Sequence, residues 1–162
     1  MAENMRVRPA REGDAEAACS VLRRSITELC RDDHRGDAAT LAAWLANKTP
    51  AHVRAWIGDP NNYLLIAEGD GVILGVAAMQ NSGRISLNYV SPDARFRSVS
   101  KALVRALEDK ARELGLPACS LESTETARRL YLSIGYSDAG PPTPGFGVSL
   151  CHPMVKTLVP KT

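Results

Sequence analysis

Residues 87–104 read LNYVSPDARFRSVSKALV and pass from a strand pattern to a helix pattern. Between Ile85 and Tyr89, apolar residues alternate with polar ones, which is typical of a strand with one buried face. The Ser-Pro-Asp turn at 91–93 ends this strand, because proline supplies no N–H to a sheet. A helix is predicted from Ser98 to Leu114. Its apolar residues fall at helical spacing: Val99, Ala102, Leu103, Ala106, Leu107 and Leu114.

Basic residues surround the start of this helix. Arg95, Arg97 and Lys101 lie at the positive end of the helix dipole, where carboxylates are usually preferred. The first turn of a helix also has free backbone N–H groups. Together these groups would suit a phosphate or pyrophosphate. On spacing alone, a solvated basic turn explains the same residues equally well.

The run from Tyr89 to Leu103 resembles the acyl-CoA-binding motif of the GNAT superfamily of acetyltransferases, roughly V-x-P-x-x-R/Q-G-x-G-x-G/A. Arg95 matches the Arg/Gln position, whereas Phe96, Ser98 and Ser100 stand where small residues, mostly glycine, are usual. Serine is small and can donate an O–H bond to a phosphate oxygen, and the ring of Phe96 is expected to point away. The resemblance implies that the pyrophosphate of acetyl-CoA binds at Arg95, Phe96, Arg97, Ser98, Val99, Ser100 and Lys101.

A second motif lies downstream of the first. Thr124-x-x-Ala127-x-x-x-Tyr131-x-x-x-Gly135-Tyr136 is similar to the family's N-x-x-A-x-x-x-Y-x-x-x-G-F/Y. Thr124 replaces the usual asparagine, which puts one contact to the pantetheine arm in question. Neither motif is decisive alone, but two in the right order, separated by a strand, make the resemblance fairly specific.

The order of predicted elements extends the resemblance over nearly the whole chain. We expect one domain over residues 1–162, with an α/β (α+β) fold. It has a mixed, mostly antiparallel central sheet flanked by helices, and a central β-α-β unit that binds acyl-CoA. The predicted helices cover Ala15 to Arg31, Ala38 to Ala46, a turn from Pro50, Ser98 to Leu114, and a last helix from Ser123 or Thr124. The predicted strands are Val7 to Ala10, Tyr63 to Ala67, Val72 to Met79, Arg84 to Val90, Ala118 to Leu121, and Val148 to Val155 with an interruption at Pro153. The charged residues 31–37 are expected to form a solvated loop.

The resemblance implies direct transfer of an acetyl group from acetyl-CoA to an amine. In this family the strand corresponding to Tyr89 and Val90 splays from its neighbour and offers an N–H to the thioester carbonyl, which would stabilise the developing negative charge. The family's tyrosine at the position of Tyr131 protonates the leaving thiolate. Without the resemblance, a core tyrosine whose hydroxyl caps a carbonyl is the better interpretation.

The group that takes the amine's proton is the least defined part of the site. Glu122 is the best acidic candidate for this base, and a structural partner for a nearby arginine is an equally good interpretation. A water relay would make a side-chain base unnecessary. The histidines His34, His52 and His152 are interpreted as surface or hydrogen-bonded residues rather than catalytic ones.

Composition limits the remaining function classes. The 162 residues carry a net charge of +2, which is too small to predict a nucleic-acid partner. No apolar run predicts a membrane span, and the N-terminal residues lack the pattern of a signal peptide, so we expect a cytoplasmic protein. Four cysteines without a CxxC pair, and three histidines, predict no metal site. The expected partners are acetyl-CoA and an amine acceptor. Whether the protein forms a homodimer is left open by the sequence.

The acceptor is expected between the helices that carry Trp44 and Trp56 and the Gly140 to Gly147 loop, and a small or peptidic amine fits better than a polyanion. The two tryptophans can be core residues or the roof of this cleft, with core favoured. Two other functions stay open: an acyl-CoA-binding domain that senses or interacts without catalysis, and a module with no ligand.

The first prediction is that coenzyme A stabilises the protein. Coenzyme A at about a hundred times its dissociation constant should add roughly 2.7 kcal/mol to the free energy of unfolding. Arg95→Ala should weaken binding, and more so at low salt, because a phosphate–arginine attraction is less screened there. Thermal melts with and without coenzyme A measure both effects. Unchanged melting temperatures at millimolar coenzyme A would contradict the prediction.

Overall fold

A computed structural model describes residues 4–95 and 97–159 of the chain. The helices are α1 (Ala15–Leu29), α2 (Arg31–His34), α3 (Ala38–Leu45), α4 (Pro50–Gly58), α5 (Val99–Glu113) and α6 (Arg128–Ser133). The strands are β1 (Arg6–Pro9), β2 (Asn62–Gly69), β3 (Val72–Gln80), β4 (Arg84–Val90), β5 (Ala118–Thr124), β6 (Ser137–Asp138), β7 (Thr143–Pro144) and β8 (Leu150–Thr157). Within this part of the chain, no helix has the length and apolar character needed to cross a bilayer.

The strands form one mixed sheet in the order β1-β2-β3-β4-β5-β8-β6, with β7 paired to β8. Every strand pair is antiparallel except β4 with β5, which run parallel and are joined through α5. The predicted mixed, mostly antiparallel sheet with a central β-α-β unit is therefore confirmed.

Helices cover both faces of the sheet. Val99, Leu103 and Leu107 of the predicted α5 stripe are fully buried in one core, whereas Leu22 of α1 and Val53 of α4 are buried in another. Ala102 and Ala106 are half-buried, and Leu114, which the sequence placed on the same stripe, follows the end of α5 and is exposed. Gly75 of β3 permits the close approach of α5, because a Cβ there would lie 2.8 Å from Val99 Cγ1 and 2.9 Å from Leu103 Cδ1. This packing fixes the start of α5 against the centre of the sheet.

Strands β4 and β5 part soon after they meet. β4 pairs with β3 from Ile85 to Val90, with a bulge at Ser86. Among the described residues, its pairing with β5 stops at Ile85, opposite Leu121. β5 instead pairs with β8 along its whole length. The sheet therefore opens between β4 and β5, as the resemblance implied for the strand that carries Tyr89 and Val90.

The charged segment 31–37 is not the solvated loop that the sequence predicted. Its first part is the short helix α2, in which Asp33 and His34 are buried. Asp33 accepts hydrogen bonds from the backbone N–H of Thr126, at 3.2 Å, and from its hydroxyl, at 2.6 Å. The hydrogen-bond partner of this carboxylate is 93 positions away in the chain. The charged residues around Asp33 in the sequence therefore could not predict its burial.

The predicted start of the last helix and the predicted interruption of the closing strand at Pro153 were both wrong. The last helix starts at Arg128 rather than at 123 or 124, because β5 continues to Thr124, which pairs with Cys151. The closing strand runs through Pro153 without a break. Its carbonyl accepts from Ala139 on the β6 side, so the missing N–H also faces that outer side and leaves the pairing with β5 intact.

Ser98 adopts a left-handed conformation, with φ of 59°, immediately before α5. It stands where the motif usually has glycine, which adopts this conformation without steric cost. Ser98→Gly should raise the free energy of unfolding by roughly 0.5–1 kcal/mol, because relief of strain exceeds the added flexibility of the unfolded chain. Chemical denaturation measures the change.

Ser100→Gly is the matched control, since Ser100 is the second residue of α5 and is not among the residues with positive φ. Glycine is a poorer helix former than serine, so this variant should lower stability, by about 0.5 kcal/mol at most in the first turn. Equal destabilisation by the two variants would contradict the assignment of strain to Ser98.

Candidate active site

Two adjoining cavities lie where β4 and β5 part, with volumes of about 240 Å³ and 510 Å³. We call the smaller one the first cavity and the larger one the second cavity. They share a wall made of Ile85, Ser86, Leu87, Tyr89, Glu122 and Thr124. The first cavity also contacts Asn88, Val90, Arg95, Ser100, Ala127 and Tyr131. The second is also lined by Trp44, Lys48, Trp56, Asp59, Arg84 and Phe146.

The backbone N–H of Val90 is directed into the opening by the pairing of β4 with β3. Ser91 N–H donates to Leu74 C=O at 2.8 Å, and the next pair along the ladder is Val90 with Gly75. Antiparallel ladders alternate between pairs that exchange hydrogen bonds and pairs whose backbone groups face outward. Val90 therefore presents its N–H away from β3, on the side where β5 has separated.

The side chain of Tyr131 is buried at the first cavity. Its hydroxyl accepts a hydrogen bond of 2.9 Å from Asn88 Nδ2 of β4. Burial raises the pKa of Tyr131 above its ordinary value, and the hydrogen bond from Asn88 opposes that shift. The phenol is thus protonated at neutral pH, and the donor nitrogen of Asn88 occupies one of its lone pairs, so its own proton is directed elsewhere.

The other polar atom of Asn88 has no partner. Asn88 Oδ1 is buried and accepts no hydrogen bond from the described residues. Buried acceptors without a partner are rare in proteins, and each calls for a physical explanation. Asn88 lines the first cavity, but its Oδ1 has almost no accessible surface, so a ligand N–H would reach this oxygen only after the side chain shifts.

The predicted phosphate-binding residues lie at the start of α5. Arg95 and Ser100 line the first cavity, and Arg97 and Ser98 are exposed nearby. The side chain of Val99 is buried in the core, so only its backbone can meet a ligand. Lys101 is half-buried, and Phe96 lies outside the described residues.

The side chain of Tyr89 points to the opposite face of the sheet from those of its β4 neighbours Asn88 and Val90. Its hydroxyl accepts a hydrogen bond of 3.1 Å from Trp44 Nε1, and burial raises its pKa. Trp44 is buried as predicted and also lines the second cavity with the half-buried Trp56. The two interpretations of the tryptophans, core and cleft roof, therefore both apply to Trp44.

Glu122 and Thr124 lie on the wall between the cavities. Glu122 is partly exposed and forms an ion pair of 3.2 Å with Arg84, which is the structural role that the sequence left open. Thr124 Oγ1 accepts from the backbone N–H of Ala127 at 3.1 Å. The side chain of Thr124 thus holds the loop before α6, and its hydroxyl keeps a proton to donate.

The three histidines have partners outside the shared wall. His34 Nδ1 accepts from Gly36 N–H at 3.0 Å, and the ring of His52 bonds to the Thr49 hydroxyl at 2.7 Å. His152 contacts the carboxylate of Glu125. These contacts agree with the interpretation of the histidines as hydrogen-bonded residues. Among the described residues, no cluster of His, Cys, Asp and Glu is arranged to hold a metal ion.

Sequence reasoning missed Lys48. Asn47 and Lys48 lie between two short helices, where a lysine normally indicates an exposed turn. In the structure Lys48 is only 5% exposed and lines the second cavity. No local pattern could have identified it, because the residues that bury it come from distant parts of the chain.

Comparisons with known proteins agree with this geometry. Residues 30–158 match the family model of the acetyltransferase (GNAT) domain. A curated relative, "IAA acetyltransferase" of Azospirillum brasilense, is 30% identical over 93 residues, which cover 52% of this chain and 61% of the relative. This chain therefore matches less than two thirds of that protein's length.

Solved structures extend the likeness to nearly the whole chain. A GCN5-related N-acetyltransferase from Rhodopseudomonas palustris has a TM-score of 0.86 at 25% identity and covers 98% of each chain. The PaiA N-acetyltransferase of Thermoplasma acidophilum, solved with coenzyme A, has a TM-score of 0.78 at 17% identity, covering 95% of this chain and 99% of its own. The family match, the shared fold and the cleft between β4 and β5 lead to one conclusion: this chain belongs to the GNAT acetyltransferase family.

Proposed function

We propose that the protein transfers an acetyl group from acetyl-CoA directly to the amine of a small or peptidic acceptor. The observation that carries this proposal is the parting of β4 from β5. It brings the outward N–H of Val90 and the protonated hydroxyl of Tyr131 to the same cavity. An N–H donor and an acid on one cavity are the two groups that thioester cleavage requires.

The residues of the first cavity fit acetyl-CoA. The N-terminus of α5, with Arg95 and Ser100 on the cavity, offers donors to a pyrophosphate. Asn88 Oδ1, which is buried and has no partner among the described residues, would accept from an amide N–H of the pantetheine arm if its side chain shifted toward the cavity. Acetyl-CoA supplies the activated acetyl group. The described residues provide donors for its anionic end.

The chemistry forms a C–N bond and breaks the C–S bond of the thioester. Val90 N–H stabilises the negative charge that develops on the carbonyl oxygen. Tyr131 gives its proton to the departing sulfur, while Asn88 holds the phenol oxygen in place. The proton that the amine loses passes to Glu122 or to water at the wall between the cavities.

The direct test is thiol release from acetyl-CoA with a panel of primary amines. Amine-dependent release, with the acetylated amine identified by mass, would support the proposal. Coenzyme A binding without release with any amine would favour instead the non-catalytic acyl-CoA-binding function. The serines at glycine positions of the motif are the observation that keeps this second function in view.

The proposed role of Tyr131 as the acid is tested by removing its hydroxyl group. Tyr131→Phe keeps the ring and removes the proton, so turnover should fall about 10²-fold, the lower end for acid catalysis. Affinity for coenzyme A should change little. Rates must be measured where chemistry, rather than product release, limits turnover.

Tyr136→Phe is the matched control, because Tyr136 packs against Tyr131 but donates to Glu108 at 2.8 Å, away from the cavities. It should lower stability and leave turnover near the wild-type value. Wild-type turnover in Tyr131→Phe would show that another group protonates the sulfur.

Glu122 is tested against its ion-pair partner. If Glu122 is the base, Glu122→Gln should lower kcat/KM by about 10²-fold or more and remove the low-pH limb of the rate profile. Arg84→Met also breaks the ion pair but keeps the carboxylate, so it should retain most activity. The exposed pair contributes at most about 1 kcal/mol to stability in either variant. Equal losses of activity in both variants would assign Glu122 the structural role.

A further inference from the structure

Lys48 is a buried cation on the second cavity. The segment between α3 and α4 is anchored to α1, because Arg23 Nη1 donates to the Lys48 carbonyl at 2.8 Å. This anchor fixes the backbone while the side chain extends among residues that line the cavity. Lys48 Nζ lies 5.9 Å from the centre of the Phe146 ring and donates to Asn47 Oδ1 at 2.7 Å. Asn47 and Phe146 also line the second cavity, so the ammonium group lies among residues of the cavity wall.

The structure as described shows no counterion for the charge of Lys48. Within residues 4–95 and 97–159, no carboxylate oxygen lies within 4.0 Å of Lys48 Nζ. An ammonium group has three protons to donate, and Asn47 takes one of them. Burial lowers the pKa of Lys48 to about 8, because the charged form loses its hydration. Buried lysines are rarely left without an anion, since desolvating the charge is costly.

The other charged residues of the second cavity do not meet this need. Arg84 and Glu122 pair with each other at 3.2 Å. Asp59 is exposed, and its Oδ1 accepts from the backbone N–H of Asn61 at 2.9 Å. As far as the structure describes the chain, one cation thus lacks a counterion in a cavity whose lining also includes Trp44, Trp56, Phe146 and several amide side chains.

We propose that the second cavity binds an amine acceptor that also carries a carboxylate, with the carboxylate on Lys48 Nζ. This inference rests on the proposed function, since it names the class of acceptor for the same reaction. The apolar part of the acceptor lies against the three aromatic rings, and its amine reaches the wall that carries Tyr89 and Glu122. A single unpaired ammonium group matches a monoanion, whereas a phosphate dianion would need a second free cation.

The binding test uses phenylacetate and its neutral counterpart phenylacetamide. The protein is saturated with coenzyme A, and affinities are measured calorimetrically for wild type, Lys48→Met and Lys48→Arg. Wild type should bind phenylacetate at least about tenfold more tightly than phenylacetamide, the low end for a charge-assisted hydrogen bond. Lys48→Met should lose this preference and Lys48→Arg should keep part of it.

A second readout follows the ammonium group itself. Titration of Lys48 by NMR should show its pKa rise when phenylacetate is added, because a bound anion favours the charged form. Phenylacetamide should leave the titration unchanged. Equal affinity for the two probes, a preference that survives in Lys48→Met, or no binding of phenylacetate at millimolar concentration would each overturn the inference.

Turnover separates this inference from the proposed function. Thiol release is compared for phenylalanine against phenethylamine and for leucine against isopentylamine. Wild type should favour the carboxylated amine of each pair, and Lys48→Met should not. Transfer without that preference would overturn the acceptor class and leave the function standing. Lys48-dependent binding of phenylacetate with no transfer to any amine would support the anion subsite at Lys48 and contradict the proposed acetyl transfer.

Discussion

The loss of backbone pairing between β4 and β5 is the constraint on which the site depends. Each strand is held on its other edge, β4 by β3 and β5 by β8, so the sheet can open between them without coming apart. α5 crosses from one to the other and is held against β3 by the close approach at Gly75. The opening exposes backbone groups that elsewhere bond to a neighbouring strand, and it makes room for a ligand to meet them.

The two cavities at this opening differ in chemistry. The first combines a helix N-terminus, an outward N–H and the Asn88–Tyr131 hydrogen bond, all suited to a polar, anionic ligand. The second combines aromatic rings with one buried ammonium group. Hydrogen bonds between distant elements hold both in shape. Tyr89 bonds to Trp44 beside the second cavity, and Asp33 bonds to Thr126 beside the first.

Several features of the site work against stability. Ser98 is held in a left-handed conformation. Among the described residues, Asn88 Oδ1 has no hydrogen-bond partner and the buried Lys48 forms no ion pair. Such features persist only where the surrounding structure enforces them, and they cluster at functional sites. All three lie at or beside the two cavities, although the left-handed conformation also occurs at Arg35 and Asp70. In the polar cluster away from the cavities, Glu108 accepts from Tyr136 and is the counterion of Lys156.

The sequence alone determined the strand–turn–helix of residues 87–104, the order of the main elements and the family motifs, because periodicity and turn chemistry act between near neighbours. It also selected Arg95 and Tyr131, which both line the first cavity. Only the tertiary structure decided that Asp33 is buried, that β5 continues to Thr124, that Asn88 holds Tyr131 and that Lys48 lies in the second cavity. The residues that bury these side chains, or form hydrogen bonds with them, are far away in the chain. A pattern of neighbouring residues therefore cannot predict these contacts.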